Sequence, residues 1–322
     1  MRRRLGDETV AIEGLARLPG GASRDSWVFD VRRGDGRTER LVLRRDPPGH
    51  RIQTSRRAEF DLLRAAAAGG IPVPRVLWCE EDPAVLDAPF FVMEFVAGET
   101  LPRRLLRDAE YAGARAALPG ELAAALARIH ALPLASLAFL ERPPEGTAPG
   151  AAELARWEGI YRTVALDPHP ALELAFRWLA ARVPAPQALA VVHGDFRIGN
   201  VMFGPEGLRA VLDWELAHAG DPAEDLGWIC VRSWRFGADR NPVGGLAARE
   251  PFFDAYARVA ARAPDPRAVR WWEVFGNLKW AVICLMQAAS VLVGGMRNVE
   301  LASLGRRVAE MELELLDLTE ES

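Results

Sequence analysis

Val191-Val-His-Gly-Asp-Phe-Arg-Ile-Gly-Asn-Val-Met-Phe203, followed by Ala210-Val-Leu-Asp-Trp-Glu215, is the stretch that decides how this chain is read. Two short apolar runs each end on polar residues. Val191-Val192 runs into His193-Gly-Asp195, and Ala210-Val-Leu212 runs into Asp213. Four residues separate Asp195 from Asn200. Any one of these polar residues alone reads as an ordinary turn-capping loop residue. Asp195, Asn200 and Asp213 together, each close to the end of an apolar strand, read as a site.

Working outward, strand-like segments at 190–193 and 208–213 interrupt a helical texture. Helical patterns cover 118–131, 151–163, 171–182, 250–263 and 267–293. The tail 301–318 places Leu301, Leu304, Val308, Met311 and Leu315 at helical spacing and predicts one closing amphipathic helix. The first hundred residues differ. Segments 26–31 and 40–44 alternate as strands do, with the turn Arg33-Gly-Asp-Gly-Arg37 between them. A helical pattern over 57–68 stops at Gly69-Gly70, and strands are predicted at 75–78 and 89–96. The predicted fold class is therefore α+β in two lobes: a β-rich N-terminal lobe, 1–96, and a mainly helical C-terminal lobe, 97–322, with a crevice between them.

The composition agrees. The chain has 322 residues, 50% hydrophobic and 26% charged, which excludes a disordered or fibrous protein. Forty basic residues against 44 acidic ones give a net charge of −4 and no global electrostatic case for nucleic acid. Only one of the forty, Lys279, is lysine. Charge is uneven: residues 1–57 hold fourteen arginines against eight acidic residues, and 306–322 hold two against six. Cys79, Cys230 and Cys284 lie far apart and read as free thiols of a reducing cytoplasm. Met1-Arg-Arg-Arg is followed by Gly6-Asp-Glu8 rather than by the apolar stretch of a signal peptide. The longest apolar run, 280–293, contains Gln287 and Ser290 and falls short of the roughly 18–20 residues that span a bilayer. A cytoplasmic protein without membrane or nucleic-acid partners is expected; the oligomeric state is left open.

Asp195-x4-Asn200 has the spacing of the protein-kinase catalytic loop. With Asp213 and Gly220-Asp-Pro-Ala-Glu-Asp-Leu226, the motif His193-Gly-Asp-x4-Asn200 resembles the aminoglycoside phosphotransferase (APH) family of kinase-like enzymes. Leu212-Asp-Trp-Glu215 is similar to the branch that includes kinase domains attached to some acyl-CoA dehydrogenases. The resemblance runs from about Gly14 to Leu316. It implies a bilobal protein-kinase-like fold and ATP- and Mg²⁺-dependent phosphoryl transfer to a hydroxyl group of a small molecule. It implies that Asp195 is the catalytic base or orienting carboxylate and that Asn200 and Asp213 are the magnesium ligands. One carboxylate and one amide oxygen suffice, because Mg²⁺ prefers hard oxygen ligands and keeps several waters. His193 would brace the loop, and Asp225 would anchor it through backbone N–H groups. Asp221, in a Gly-Asp-Pro turn, would support it.

In the N-terminal lobe, Leu18-Pro-Gly-Gly-Ala-Ser-Arg-Asp-Ser-Trp27 sits where a kinase has its phosphate-covering hairpin. Gly20 and Gly21 would let backbone N–H groups approach phosphate oxygens, and Ser23 would add a hydroxyl. Kinases hold the α- and β-phosphates with a strand lysine paired to a helix glutamate. Here the matching strand reads Leu41-Val-Leu-Arg44-Arg45. Arg44 takes the lysine position, with Arg45 as the competing choice and Glu59 as partner. Arginine keeps the charge and binds phosphate bidentately, but it is bulkier. Phe91-Val-Met-Glu-Phe-Val96 matches the segment that joins the lobes, where Glu94 C=O and Val96 N–H would meet the adenine edge.

The acceptor site is expected on C-terminal helices facing Asp195. Those helices offer Trp157, Tyr161, Trp234, Trp271, Trp272 and Trp280, with Glu215, Glu273, Lys279 and Arg297 among them. Adjacent Trp271 and Trp272 are not expected both to face the core of one helix. A partly apolar acceptor is expected, its anionic end met by Lys279 or Arg297. The alternative is a catalytically weak kinase-like protein that binds a nucleotide or metabolite, supported only by the missing strand lysine. A metal-dependent hydrolase built on His193, Asp195 and Asp213 leaves Asn200 and the hairpin unexplained. No G-x-S-x-G supports a serine hydrolase.

Overall fold

The computed structural model describes residues 4, 6–18, 25–46 and 55–320. Its N-terminal part is a five-stranded antiparallel sheet of β1 (Ala11–Arg17), β2 (Asp25–Arg32), β3 (Thr38–Arg45), β4 (Val76–Glu80) and β5 (Phe90–Glu94), in the order β1-β2-β3-β5-β4. Alternation decides the faces. Phe29 and Val31 of β2, Leu41 of β3, and Phe90 and Val92 of β5 form one small core with Val10. The other face takes α1 (Arg56–Ala68), whose Phe60 meets Phe91 edge-on with ring centroids 6.2 Å apart. Ser55 caps α1 by accepting from Ala58 N–H at 3.0 Å.

From 97 onward the chain is mainly helical. It runs through α2 (Pro102–Arg107), α3 (Ala112–His130), α4 (Pro149–Val164) and α5 (Pro170–Ala180), then β6 (Ala190–Val192), β7 (Val201–Gly204), β8 (Gly207–Val211) and β9 (His218–Gly220). It closes with α6 (Ala223–Trp228), α7 (Arg249–Ala260), α8 (Pro266–Leu292), α9 (Val299–Leu304) and α10 (Val308–Glu320). The short strands pair as two hairpin-like ladders, β6 with β9 and β7 with β8. Between β6 and β7 lies the His193–Asn200 loop, held at both ends by these ladders.

Helix α8 organises this part, packing against α4, α5, α6, α9 and α10. It corrects the expectation for Trp271 and Trp272, which are both buried, at 2% and 1% exposed. A helix surrounded on all sides has no solvent face to give up. Each indole also finds an acceptor, Leu179 O for Trp271 and Asp221 Oδ2 for Trp272, at 3.0 and 3.1 Å. By length and composition α8 could cross a membrane, but 61% of its most apolar window is buried inside the fold. The single tail helix is also corrected. Residues Gly305–Arg307 form a 3₁₀ turn between α9 and α10. A Cβ on Gly305 would stand 2.9 Å from the Ala288 methyl of α8, so this turn packs closely on α8. The three cysteines are free; Cys230 and Cys284 are buried and Cys79 is partly buried.

Candidate active site

The His193–Asn200 loop is fastened from below. The buried Asp225 carboxylate accepts from His193 N–H at 2.7 Å and from Gly194 N–H at 2.9 Å. His130 Nε2 reaches the same carboxylate at 3.1 Å. Burial opposes ionisation, but His130 and His193 with these N–H bonds outweigh it and hold the Asp225 carboxyl below the ordinary range. Gly194 is required here: its φ is +79°, and a Cβ would lie 2.4 Å from Leu216 O. His193 is fully buried and committed to the backbone. Its Nε2 lies 3.0 Å from Leu212 O, and its Nδ1 accepts from Asp195 N–H at 3.2 Å. Burial pushes its pKa below the usual imidazole value. The ring therefore ties the Asp195 strand-end to the Asp213 strand-end, as a brace does.

Asp195 Oδ1 accepts from Trp228 Nε1 at 2.8 Å and from Arg197 Nε at 2.9 Å. Its Oδ2 accepts from Asn200 Nδ2 at 2.5 Å. Asn200 Nδ2 also donates to Asp195 O at 3.0 Å, while its side-chain oxygen takes no hydrogen bond among the described residues. Asp213, just past β8, has φ 65° and ψ 59°. A left-handed conformation is strained for a residue with a Cβ. It turns the chain at the floor of a cleft of about 330 Å³ lined by Arg44, Met93, Glu94, Val96, Asn200 and Asp213.

Arg44 enters this cleft from β3. Its Nη1 donates to the fully buried Glu59 at 2.7 Å, and its Nη2 stands 3.8 Å from Asp213 Oδ1. Burial works against its charge, but Glu59, Asp213 and Glu215 outweigh burial and raise its pKa. Arg45 points elsewhere, to Leu86 O at 3.2 Å. Of the two arginines, it is Arg44 that lines the cleft. Glu94 spends its carboxylate on Arg75 N–H at 3.0 Å, and Val96 N–H has no backbone acceptor among the described residues. Gly20, Gly21 and Ser23 lie outside the described residues.

A second cavity of about 260 Å³ lies beside the loop, lined in part by Glu153, Trp157, Glu215, His218 and Lys279. Lys279 does not have its charge free for an acceptor. Its ammonium donates to Gly194 O at 3.2 Å and to Glu224 Oε1 at 3.3 Å, and lies 4.8 Å from the Trp228 ring centroid. Arg297 is exposed in the segment between α8 and α9. Sequence reasoning missed Trp228 and Arg197 as partners of Asp195. The signal for Trp228 was its place one helical turn after Asp225. No group of three or more His, Cys, Asp or Glu residues with metal-holding geometry occurs among the described residues.

Acyl-CoA dehydrogenase family member 11 of Rattus norvegicus is 33% identical over 251 residues, 73% of this chain. This chain spans only 31% of that relative. A putative aminoglycoside phosphotransferase from Ralstonia eutropha superposes with a TM-score of 0.76 at 23% identity, covering 96% of this chain and 92% of that one. Spectinomycin phosphotransferase, solved with ADP and spectinomycin, gives 0.63 at 12% identity, covering 94% of this chain and 93% of that one. At such identities these two structures show a shared fold, the bilobal kinase-like one. The family model described as "Phosphotransferase enzyme family" spans residues 14–272, from β1 into α8, so it takes in both walls of the cleft and the loop between them, and the chain belongs to that family.

Proposed function

We propose that this chain transfers a phosphoryl group from ATP to a hydroxyl group of a small molecule, with Asp195 as the catalytic residue. The observation that carries the reading is the convergence of Arg44, Asn200 and Asp213 on one cleft, with Asp195 hydrogen-bonded to Asn200 at 2.5 Å. Asn200 and Asp213 suit a divalent cation: one offers a side-chain oxygen without a hydrogen bond, the other a carboxylate at the cleft floor. Mg²⁺ bound there would neutralise triphosphate oxygens. Arg44, kept charged by Glu59, would hold the phosphates. The linker backbone at Glu94 and Val96 would take the adenine edge. Asp195 Oδ1 accepts two hydrogen bonds, from Trp228 and Arg197, whereas Oδ2 accepts one, from Asn200, and its second lone pair would orient the acceptor hydroxyl and receive its proton. Positioning and charge neutralisation then supply most of the acceleration.

The ADP in the spectinomycin phosphotransferase structure supports nucleotide binding in this fold. The test is acceptor-dependent ADP release across a panel of hydroxylated metabolites, together with calorimetric titration of Mg²⁺·AMP-PNP. A transferase shows both signals. Nucleotide binding without ADP release for any acceptor would favour the catalytically weak alternative.

A further inference from the structure

We infer that an arginine-walled pocket next to the catalytic loop binds a phosphate group carried by the acceptor. The word acceptor rests on the function proposed above; the pocket does not. It has a volume of about 700 Å³ and lies between α2, the turn Arg232–Arg235 and the start of α10. Arg103 and Arg107 line one wall, four residues apart and therefore on one face of α2. Arg232 and Arg307 line the other.

Charge compensation is uneven. Arg232 is paired with Glu314 at 3.1 Å and Asp239 at 3.3 Å, and Arg307 with Glu310 at 3.1 Å. The carboxylates near α2 all go to Arg104, which binds Glu99, Asp108 and Glu110 at 2.5, 3.0 and 2.6 Å. Arg103 and Arg107 are exposed and have no ion pair or hydrogen bond among the described residues. Two guanidinium charges therefore face the pocket uncompensated. A phosphomonoester carries about −1.5 to −2 at neutral pH, so one such group matches the excess. Guanidinium forks bind phosphate oxygens bidentately. Asp239 and Glu310 also line the pocket, but they are paired with Arg232 and Arg307, so the lining keeps a net positive charge that disfavours a polycationic acceptor.

The location ties the pocket to the chemistry. Helix α2 follows directly on the linker residues Glu94–Val96 and Thr100 that line the cleft. Its Pro102 lies 3.8 Å from where a Cβ on Gly199 of the catalytic loop would stand. On the other side, Ser233 lines the pocket and its neighbour Trp234 carries the Arg197 guanidinium at 4.7 Å, the group that pairs with Asp195. Trp234 and Arg197 thus link the pocket wall to Asp195, which places the pocket on the side of the loop from which an acceptor's far end would be held. The ligand class is a hydroxylated small molecule bearing a phosphate ester.

The experiment fills the nucleotide cleft with Mg²⁺·AMP-PNP and titrates inorganic phosphate, then citrate, at constant ionic strength. Wild type is compared with R103E/R107E, with R103K/R107K, and with R64E/R177E, a control of equal charge change on exposed helix positions elsewhere. Saturable phosphate binding is expected, weakened at least tenfold in R103E/R107E, partly kept in R103K/R107K and unchanged in the control. AMP-PNP affinity should stay within twofold throughout. Equal phosphate affinity in wild type and R103E/R107E, or no saturable binding, overturns the assignment. Citrate binding tighter than phosphate overturns it in favour of a carboxylate ligand. Loss of AMP-PNP binding by wild type would instead sink the nucleotide reading, because the comparison of arginine variants is read separately.

Discussion

Trp228 donates its indole N–H to Asp195 Oδ1 at 2.8 Å, and it does so from the helix that carries Asp225. One short helix, α6, thus grips the loop twice: Asp225 holds the backbone of His193 and Gly194, and Trp228 holds the carboxylate of Asp195. Trp228→Phe keeps an aromatic ring in the buried slot but removes the donor. A hydrogen bond to a charged group is worth roughly 1.5–3 kcal/mol. Turnover should therefore fall at least about tenfold, while affinity for Mg²⁺·AMP-PNP stays constant. A parallel loss of both would make Trp228 a packing residue only.

Asp195 and Asp213 should separate chemistry from binding. Asp195→Ala removes the group facing the acceptor and leaves the cleft-lining residues in place. ADP release should drop by roughly 10²–10⁴-fold, the usual worth of a positioned acid or base, with nucleotide affinity largely intact. Asp213→Ala should instead abolish the Mg²⁺-dependent part of nucleotide binding, read by titration with and without the metal. Substantial turnover by the Asp195 variant would remove it from the catalytic role.

Arg44 stands between Glu59 and Asp213, so its loss is felt on both sides. Arg44→Ala should weaken ATP binding by about one to two orders of magnitude, since a charge-assisted contact to phosphate is lost. Arg44→Lys should recover part of it, and Arg45→Ala should leave it unchanged. Glu59 keeps Arg56 at 2.6 Å, so the fold itself should survive the Ala variant. Equal affinity in all four proteins would assign the phosphates to the hairpin at 20–23.

The two lobes, the main helices and the loop motif were legible because they depend on periodicity and on local spacing. Leu41 and Leu43 alternate, α8 has a long mostly apolar window, and Asp195 and Asn200 are close in sequence. Short elements were not legible. Helix α2 has six residues, too few for a period to show, and β9 has three. Helix α3 begins at Ala112 rather than at 118 because Pro119 is accommodated within it. Tertiary partners were the least legible. Lys279 reads as a free cation until Gly194 O and Glu224 are seen to occupy it, although they are 85 and 55 residues away in sequence. The pairing of Trp271 with Leu179 O likewise depends on how α5 and α8 pack, which no window of sequence contains.

Behind the loop, His218 and Glu224 should make the fold sensitive to alkali. His218 Nδ1 lies 2.9 Å from Leu216 O and Nε2 lies 3.1 Å from Glu224 Oε2, so both ring nitrogens face acceptors and the charged form is favoured. Burial alone would lower its pKa, but Glu224, with Glu153 adding to it, raises it to about 9. Lys279 is the other cation on Glu224, at 3.3 Å. A base whose folded pKa exceeds its unfolded value of 6.5 stabilises the fold in full below pH 6.5 and loses that contribution as pH rises through about 9. The shift corresponds to about 3 kcal/mol. Denaturant melts at pH 6.5 and 9.5 should show wild type losing about that much more stability than His218→Gln, whose side chain does not titrate. An identical loss in both proteins would place the alkaline sensitivity at another group and leave the His218–Glu224 pair without a role in it.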